Sequence, residues 1–253
     1  YAEGLQFKAI KVYDRGVKNE AVWHILRANI RAQDLVVGDM EAQIESARIG
    51  AARFLELVGH HGLEQTMAAF HDLMDYSERL MRSAIRDLPD GDYSATTYLD
   101  GFLDDPDPSR SKLPLVVTLK VRGDALTVDL TGTAPQLPDK PINMPLIGTV
   151  DCAVWLTIRS ILLDTVSYGN IPQNSGLTRP IEIVAPKGCL ANPIFPAPVI
   201  ARFCSGNQLA DTVMRAFAQV VPQQVSAGIG NLRVVAISGL KAGNHWVHME
   251  IME

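Results

Sequence analysis

At residues 88–93, LPDGDY, the hydrophobic repeat of this chain changes from one that suits a helix to one that suits a strand, and that switch organises its 253 residues. Before it, Leu35, Met40, Ile44, Ala47, Ala51, Phe54, Leu55 and Val58 recur largely at three- and four-residue steps, on one face of a long helix. A second run, from about Leu63 to Asp87, keeps Met67, Phe70, Met74, Leu80, Met81 and Ile85 apolar. Gly59 and Gly62, around His60 and His61, supply the break between the two runs. The pattern predicts a helical hairpin whose members cover each other. Upstream, Asn19 is placed to cap a helix through VWHILRANI, and Asp34 suits the start of the next. Residues 1–90 therefore read as a helical segment.

After the switch the period is two. Tyr93 to Leu99 alternates, and LPLVVTLKV and ALTVDLTG, joined at Arg122-Gly123-Asp124, read as an antiparallel hairpin. Ala134 to Pro145 holds four prolines and no period, so it is an irregular crossing segment. Thr149 to Leu163 reads as a buried helix. Two further irregular stretches, SYGNIPQNSGLTRP and NPIFPAPVIARF, flank a short strand at IEIVAP. A helix from Gln208 to Val221, capped by Asn207 or Ser205, and two strands, LRVVAISG and WVHMEIM, complete the chain. Helices first, then a mixed strand and helix segment with antiparallel strands over 91–253, define an α+β fold.

Charge and composition narrow the function classes. With 47% hydrophobic and 20% charged residues the chain is globular, and a scattered net charge of -5 offers no basic face to a nucleic acid. The most apolar stretch, Pro145 to Leu163, is interrupted by Asp151 and Arg159, too polar for a bilayer; the first residues carry no secretory signal. Cys152, Cys189 and Cys204 form neither a disulfide framework nor a CxxC knuckle, which fits a reducing, cytoplasmic setting. Neither GxxxxGK[ST], GxGxxG nor GxSxG occurs.

Candidate chemistry is sparse. His60, His61 and His71 are the densest histidine group, but neighbours on a helix point about 100° apart, and a role at the helix C-terminus is the plainer reading. His245 and His248 lie three apart on a strand and face opposite sides. Asp104, Asp105 and Asp107 could hold a hard cation, yet interleaved prolines make a solvated loop the better reading. Asn143, Asn174, Arg179 and Asn192, all in irregular segments, are the substrate-binding candidates, because binding groups concentrate on loops held by a rigid scaffold. No catalytic residue or metal ligand can be assigned.

Those segments also carry a resemblance. YDRGVKNE, QDLVVGDMEAQIESARIGAARFLELV, DYSERLMRSAIRDLPDGDY, VRGDALTVDLTGTAPQ, INMPLIGT and IPQNSGLTRPIEIVAPKGCLANP, in that order, resemble the large chain of the hydantoinase B/oxoprolinase family. The resemblance implies part of an ATP-dependent cyclic amidohydrolase. In it an A-type, actin-like ATPase partner binds ATP and Mg and activates the substrate, and the B-type part completes ring opening. The related alternatives are a piece of an acetone or acetophenone carboxylase and a noncatalytic assembly portion. It further implies a homo-oligomer, and a divalent metal held by His and Asp residues upstream of this stretch, with none held within it. The missing initiator Met and an end in the middle of a strand-like alternation fit one hydantoinase B-type domain truncated at both ends.

Overall fold

Backbone hydrogen bonding follows the two periods. The computed structural model describes residues 5, 7, 9–30, 32–102, 105–164, 166, 168–228 and 233–252. In chain order the elements are β1 (Tyr13–Asp14), β2 (Val17–Lys18), α1 (Glu20–Asn29), α2 (Gln33–His61), α3 (Leu63–Arg86), β3 (Gly91–Asp100), β4 (Lys112–Arg122) and β5 (Ala125–Asp129). They continue with α4 (Asp151–Leu162), β6 (Ile181–Val184), α5 (Arg202–Phe217), β7 (Arg233–Lys241) and β8 (Asn244–Met252). The fold is α+β, and the chain divides into two compact units, one built on residues 71–235 and one on residues 5–70 with 236–248.

In the first unit β3, β4, β5 and β6 form one sheet in that order. The β4–β5 turn falls where the sequence places it, with Arg122 opposite Ala125 and Gly123 at φ 61°, a conformation glycine adopts without strain. Strand β6 pairs parallel to β5, Leu126 opposite Ile181, so the sheet is mixed and not purely antiparallel. A parallel neighbour needs a long crossover, and residues 130–180, including α4, supply it. Alternation decides which face is buried: Leu113, Leu115, Val117, Leu119 and Val121 of β4 are at most 5% exposed. Helix α5 packs on β3 and β4 through Leu209, Val213, Ala216 and Phe217, and α4 packs on α5. Where the layers meet, the Thr97 and Thr212 hydroxyls share a buried hydrogen bond of 2.5 Å.

Helix α5 begins at Arg202, six residues before the expected start at Gln208, and Ser205 and Asn207 lie within it. The Ser205 hydroxyl does not cap; it donates to the Ile142 carbonyl at 2.7 Å. Gly206 also lies inside the helix, where an added Cβ would sit 3.5 Å from Thr149 Cγ2. Small residues at a position expected to cap the helix instead let the first turns of α5 approach residues 142–149 closely.

In the second unit α2 and α3 meet at Gly62, at φ 82°, while Gly59 stays inside α2. The Phe54 and Phe70 rings, each eight residues from Gly62, lie 6.0 Å apart. Two departures from a helical reading of 1–90 occur near the start. Residues 13–18 form the β1–β2 hairpin, turned by Arg15 at φ 49° and Gly16 at φ 83°. Two-residue strands are too short to show alternation. Asn19 precedes α1 without a side-chain cap, its amide donating instead to the Lys11 carbonyl at 3.2 Å. The hairpin covers Trp23, fully buried, whose indole N–H donates to the Val12 carbonyl at 3.1 Å.

Candidate functional site

Two irregular segments build a cleft beside the sheet. Proline-rich stretches cannot form a continuous ladder, so residues 134–145 and 185–201 are tied by single backbone bonds. Gln136 N–H donates to Gly188 at 2.8 Å, Met144 to Leu190 at 2.7 Å, Leu190 to Ala134 at 2.8 Å and Ala201 to Pro141 at 2.8 Å. Asn143, fully buried, completes the tie. Its Oδ1 accepts from the Leu137 N–H at 2.9 Å, and its Nδ2 donates to the carbonyls of Leu137, Lys140 and Pro198 at 2.8, 3.1 and 2.8 Å.

The cleft encloses about 440 Å³ between Pro145–Ile147 and Asn192–Val199. Its walls are apolar, and Ile147 and Phe195 on its rim are 85% and 71% exposed. Asn192 is its one side chain with an amide, held at the end of a tight loop: the Asn192 N–H donates to Cys189 at 3.0 Å and its carbonyl accepts from Gly188 at 2.9 Å. Nδ2 donates to the Ala185 carbonyl at 2.8 Å, leaving the amide oxygen as the acceptor that can serve a ligand. Sequence reasoning misses Ile147 and Phe195, because an apolar residue in a proline-rich loop carries no chemical signal.

Asn174 and Arg179 stand elsewhere, against α3. Asn174 Oδ1 accepts from the Gly176 N–H at 2.9 Å, and Nδ2 donates to Ser77 Oγ at 2.9 Å. Gly176 is required there, since a Cβ would fall 1.9 Å from the Met74 carbonyl oxygen. Arg179 donates to Asp75 at 2.6 Å and to Glu78 at 3.0 Å. Arg82 also donates to Glu78, at 2.8 Å, and reaches on to Asp124 at 3.1 Å. The hydrogen bonds from Arg179 and Arg82 hold the Glu78 carboxyl below its ordinary value. The four sequence candidates thus fall into two places, Asn143 and Asn192 at the cleft, Asn174 and Arg179 on α3.

No described set of side chains fits a divalent cation. Asp104 lies outside the described residues, and Asp105 and Asp139 pair with Arg110 at 3.1 and 2.5 Å. Asp107 Oδ1 accepts from the Ser109 N–H at 2.9 Å and its hydroxyl at 2.7 Å. His60 and His61 are exposed in the last turn of α2, His71 is exposed on α3, and His245 and His248 are exposed on β8. Among the described residues no three His, Cys, Asp or Glu side chains converge, and no helix is long and apolar enough to cross a membrane.

Fold and cleft define an α+β protein with an apolar, loop-built cleft. The chain belongs to the Hydantoinase B/oxoprolinase family, whose description matches residues 1–253. It is 67% identical, over all 253 residues, to a protein of Pseudomonas sp. (strain NS671) assigned as the B subunit of a D-/L-hydantoinase, and spans 43% of that relative. It is similar to the ATP-dependent caprolactamase of Pseudomonas jessenii, at 29% identity and a TM-score of 0.83, over 98% of this chain and 41% of that one. Acetone carboxylase in its nucleotide-free structure shares the fold, with a TM-score of 0.79 and 15% identity over 96% of this chain and 33% of that one. The chain thus spans less than half the length of these relatives.

Proposed function

We propose that this chain is part of the B-type subunit of an ATP-dependent cyclic amidohydrolase that opens a hydantoin or related lactam ring. The observation that carries this reading is the 67% identity, along all 253 residues, to the B subunit of a hydantoinase. A cyclic amide is a poor electrophile, so its opening is coupled to ATP, bound with Mg by an A-type ATPase partner and not by these residues. A divalent metal belongs to the part of the subunit outside this stretch. The assembly is a cytoplasmic homo-oligomer, and residues 1–90 and 91–253 are two segments of one hydantoinase B-type domain.

Within it, the 440 Å³ cleft receives the ring, whose apolar edge packs on Ile147 and Phe195 while the Asn192 amide oxygen accepts a ring N–H. Asn143 sets the spacing of the cleft walls. Asn174 and Arg179 act on substrate through the α3 contacts that fix the loop before β6.

The test combines the full-length subunit, its A-type partner, ATP and hydantoin. Phosphate release with ring-opened product supports the proposal. Turnover only with a ketone and bicarbonate would assign the chain to a carboxylase instead. Asn192→Ala is expected to raise KM about tenfold while leaving the fold intact, the usual scale for one lost hydrogen bond to a ligand.

A further inference from the structure

A second cleft, of about 580 Å³, lies along the C-terminal half of α5 and is of mixed polar and apolar character. Thr97, Gln208, Asp211, Arg215 and Ser226 line it beside apolar residues such as Met214 and Val225, so donors, acceptors and both signs of charge stand among apolar groups. Gln208, Asp211 and Arg215 stand at three- and four-residue steps and share one face of the helix. The segment that closes the cleft is laid directly on Asp211: a Cβ at Gly228 would sit 2.4 Å from both carboxylate oxygens. Arg215 is exposed, and among the described residues no carboxylate lies within 4.0 Å of its guanidinium. A positive charge with no ion pair among the described residues therefore faces a cleft of small-molecule size, and the Asp211 carboxylate stands one helical turn before it in the same lining.

The chemistry of ring opening says which molecule gains from that charge. Water oxygen bonds to the ring carbonyl carbon, the carbon–nitrogen bond breaks, and the nitrogen leaves with a proton. A neutral ring such as hydantoin or caprolactam becomes a carboxylate with a ureido or amino group at its other end. The product carries a negative charge that the substrate lacks. An apolar cleft with one amide suits the ring; a mixed cleft that presents a guanidinium with no ion pair among the described residues suits the opened chain.

We propose that the second cleft binds the ring-opened carboxylate product, Arg215 pairing with the carboxylate that hydrolysis creates and Gln208 and Ser226 meeting its ureido or amino end. This rests on the cyclic-amide reading above.

The test is calorimetric titration of the full-length subunit, without ATP, with N-carbamoylglycine and with hydantoin as separate probes. N-carbamoylglycine is expected to bind at least tenfold more tightly than hydantoin. Arg215→Gln should weaken N-carbamoylglycine by about tenfold or more and leave hydantoin unchanged, the scale of a lost charge-assisted pair. Arg215→Lys should recover part of the loss. Equal affinity for the two probes, or binding indifferent to both substitutions, overturns the proposal. The ATP-dependent ring-opening assay separates the two readings. Ring opening with binding independent of Arg215 removes the product site and keeps the enzyme assignment. Carboxylate binding that needs Arg215 in a protein that opens no ring keeps a carboxylate site and removes its assignment to product.

Discussion

Asn143 pairs with Leu137 as a neighbouring strand would, accepting from its N–H at 2.9 Å and donating to its carbonyl at 2.8 Å. A side chain thus supplies the hydrogen bonds that a proline-rich segment cannot make with its own backbone. Asn143→Ala would strip buried backbone groups of partners, each costing about 1–3 kcal/mol. A loss of roughly 3 kcal/mol in chemical unfolding is expected. Asn143→Asp keeps the shape but sets an acceptor against three carbonyls, and is expected to be at least as harmful. A variant within about 0.5 kcal/mol of wild type, a margin typical of surface sites, would show that the segment is held by its other bonds.

The turn at residues 174–179 meets α3 so closely that only a hydrogen fits at Gly176, and Met74 O is backbone that no rotamer change can move. Gly176→Ala should cost about 3 kcal/mol, in the upper range for overpacking, by displacing the turn. Arg179→Ala should cost about 1 kcal/mol, because its ion pairs with Asp75 and Glu78 are partly exposed to solvent. Thermal unfolding of the two variants tests the contrast; similar losses would mean that the ion pairs, and not the close approach, fix the turn.

What was legible in the sequence depended on whether a signal was local. The β4–β5 turn, α4 and the strand at Ile181 follow from period and turn chemistry. The start of α5 did not, because Ser205 and Asn207 read as helix caps until the Ser205 partner at Ile142 and the close approach of Gly206 to Thr149 are known. The parallel pairing of β6 is likewise set by a crossover and not by its own residues. Of the candidate residues, Asn143 and Asn192 lie at the cleft, whereas its apolar walls at Ile147 and Phe195 and the partners 137 and 185 that fix the two amides carry no signal in the sequence.

The three cysteines occupy different surroundings, and their reactivity should follow. Cys152 is exposed, Cys204 intermediate and Cys189 buried. Burial pushes the Cys189 thiol up from its ordinary value, so thiolate is scarcer there as well as less accessible. Alkylation of native protein at about pH 8, near the ordinary thiol value, is expected to label Cys152 first and Cys189 last when mapped by peptide mass, with the order vanishing in denaturant. Early labelling of Cys189 would mean that the loop before Asn192 opens readily.

On the sheet face away from α5, Lys120 donates to Asp129 at 2.7 Å, and the Thr131 N–H donates to the same carboxylate at 2.9 Å. These bonds, that from Lys120 first, lower the Asp129 carboxyl from 3.8 to about 2. A depressed acid stabilises the fold above the unfolded value and loses that contribution as pH falls through the folded one. The shift converts to about 2 kcal/mol at most, and less once the solvent exposure of Lys120 is discounted. Asp129→Asn should therefore cost about 1–2 kcal/mol at neutral pH. Its deficit against wild type should narrow steadily between about pH 4 and pH 2, as wild type takes up the proton. Urea unfolding across that range gives the measurement, and a deficit constant with pH would assign the loss to packing and not to charge.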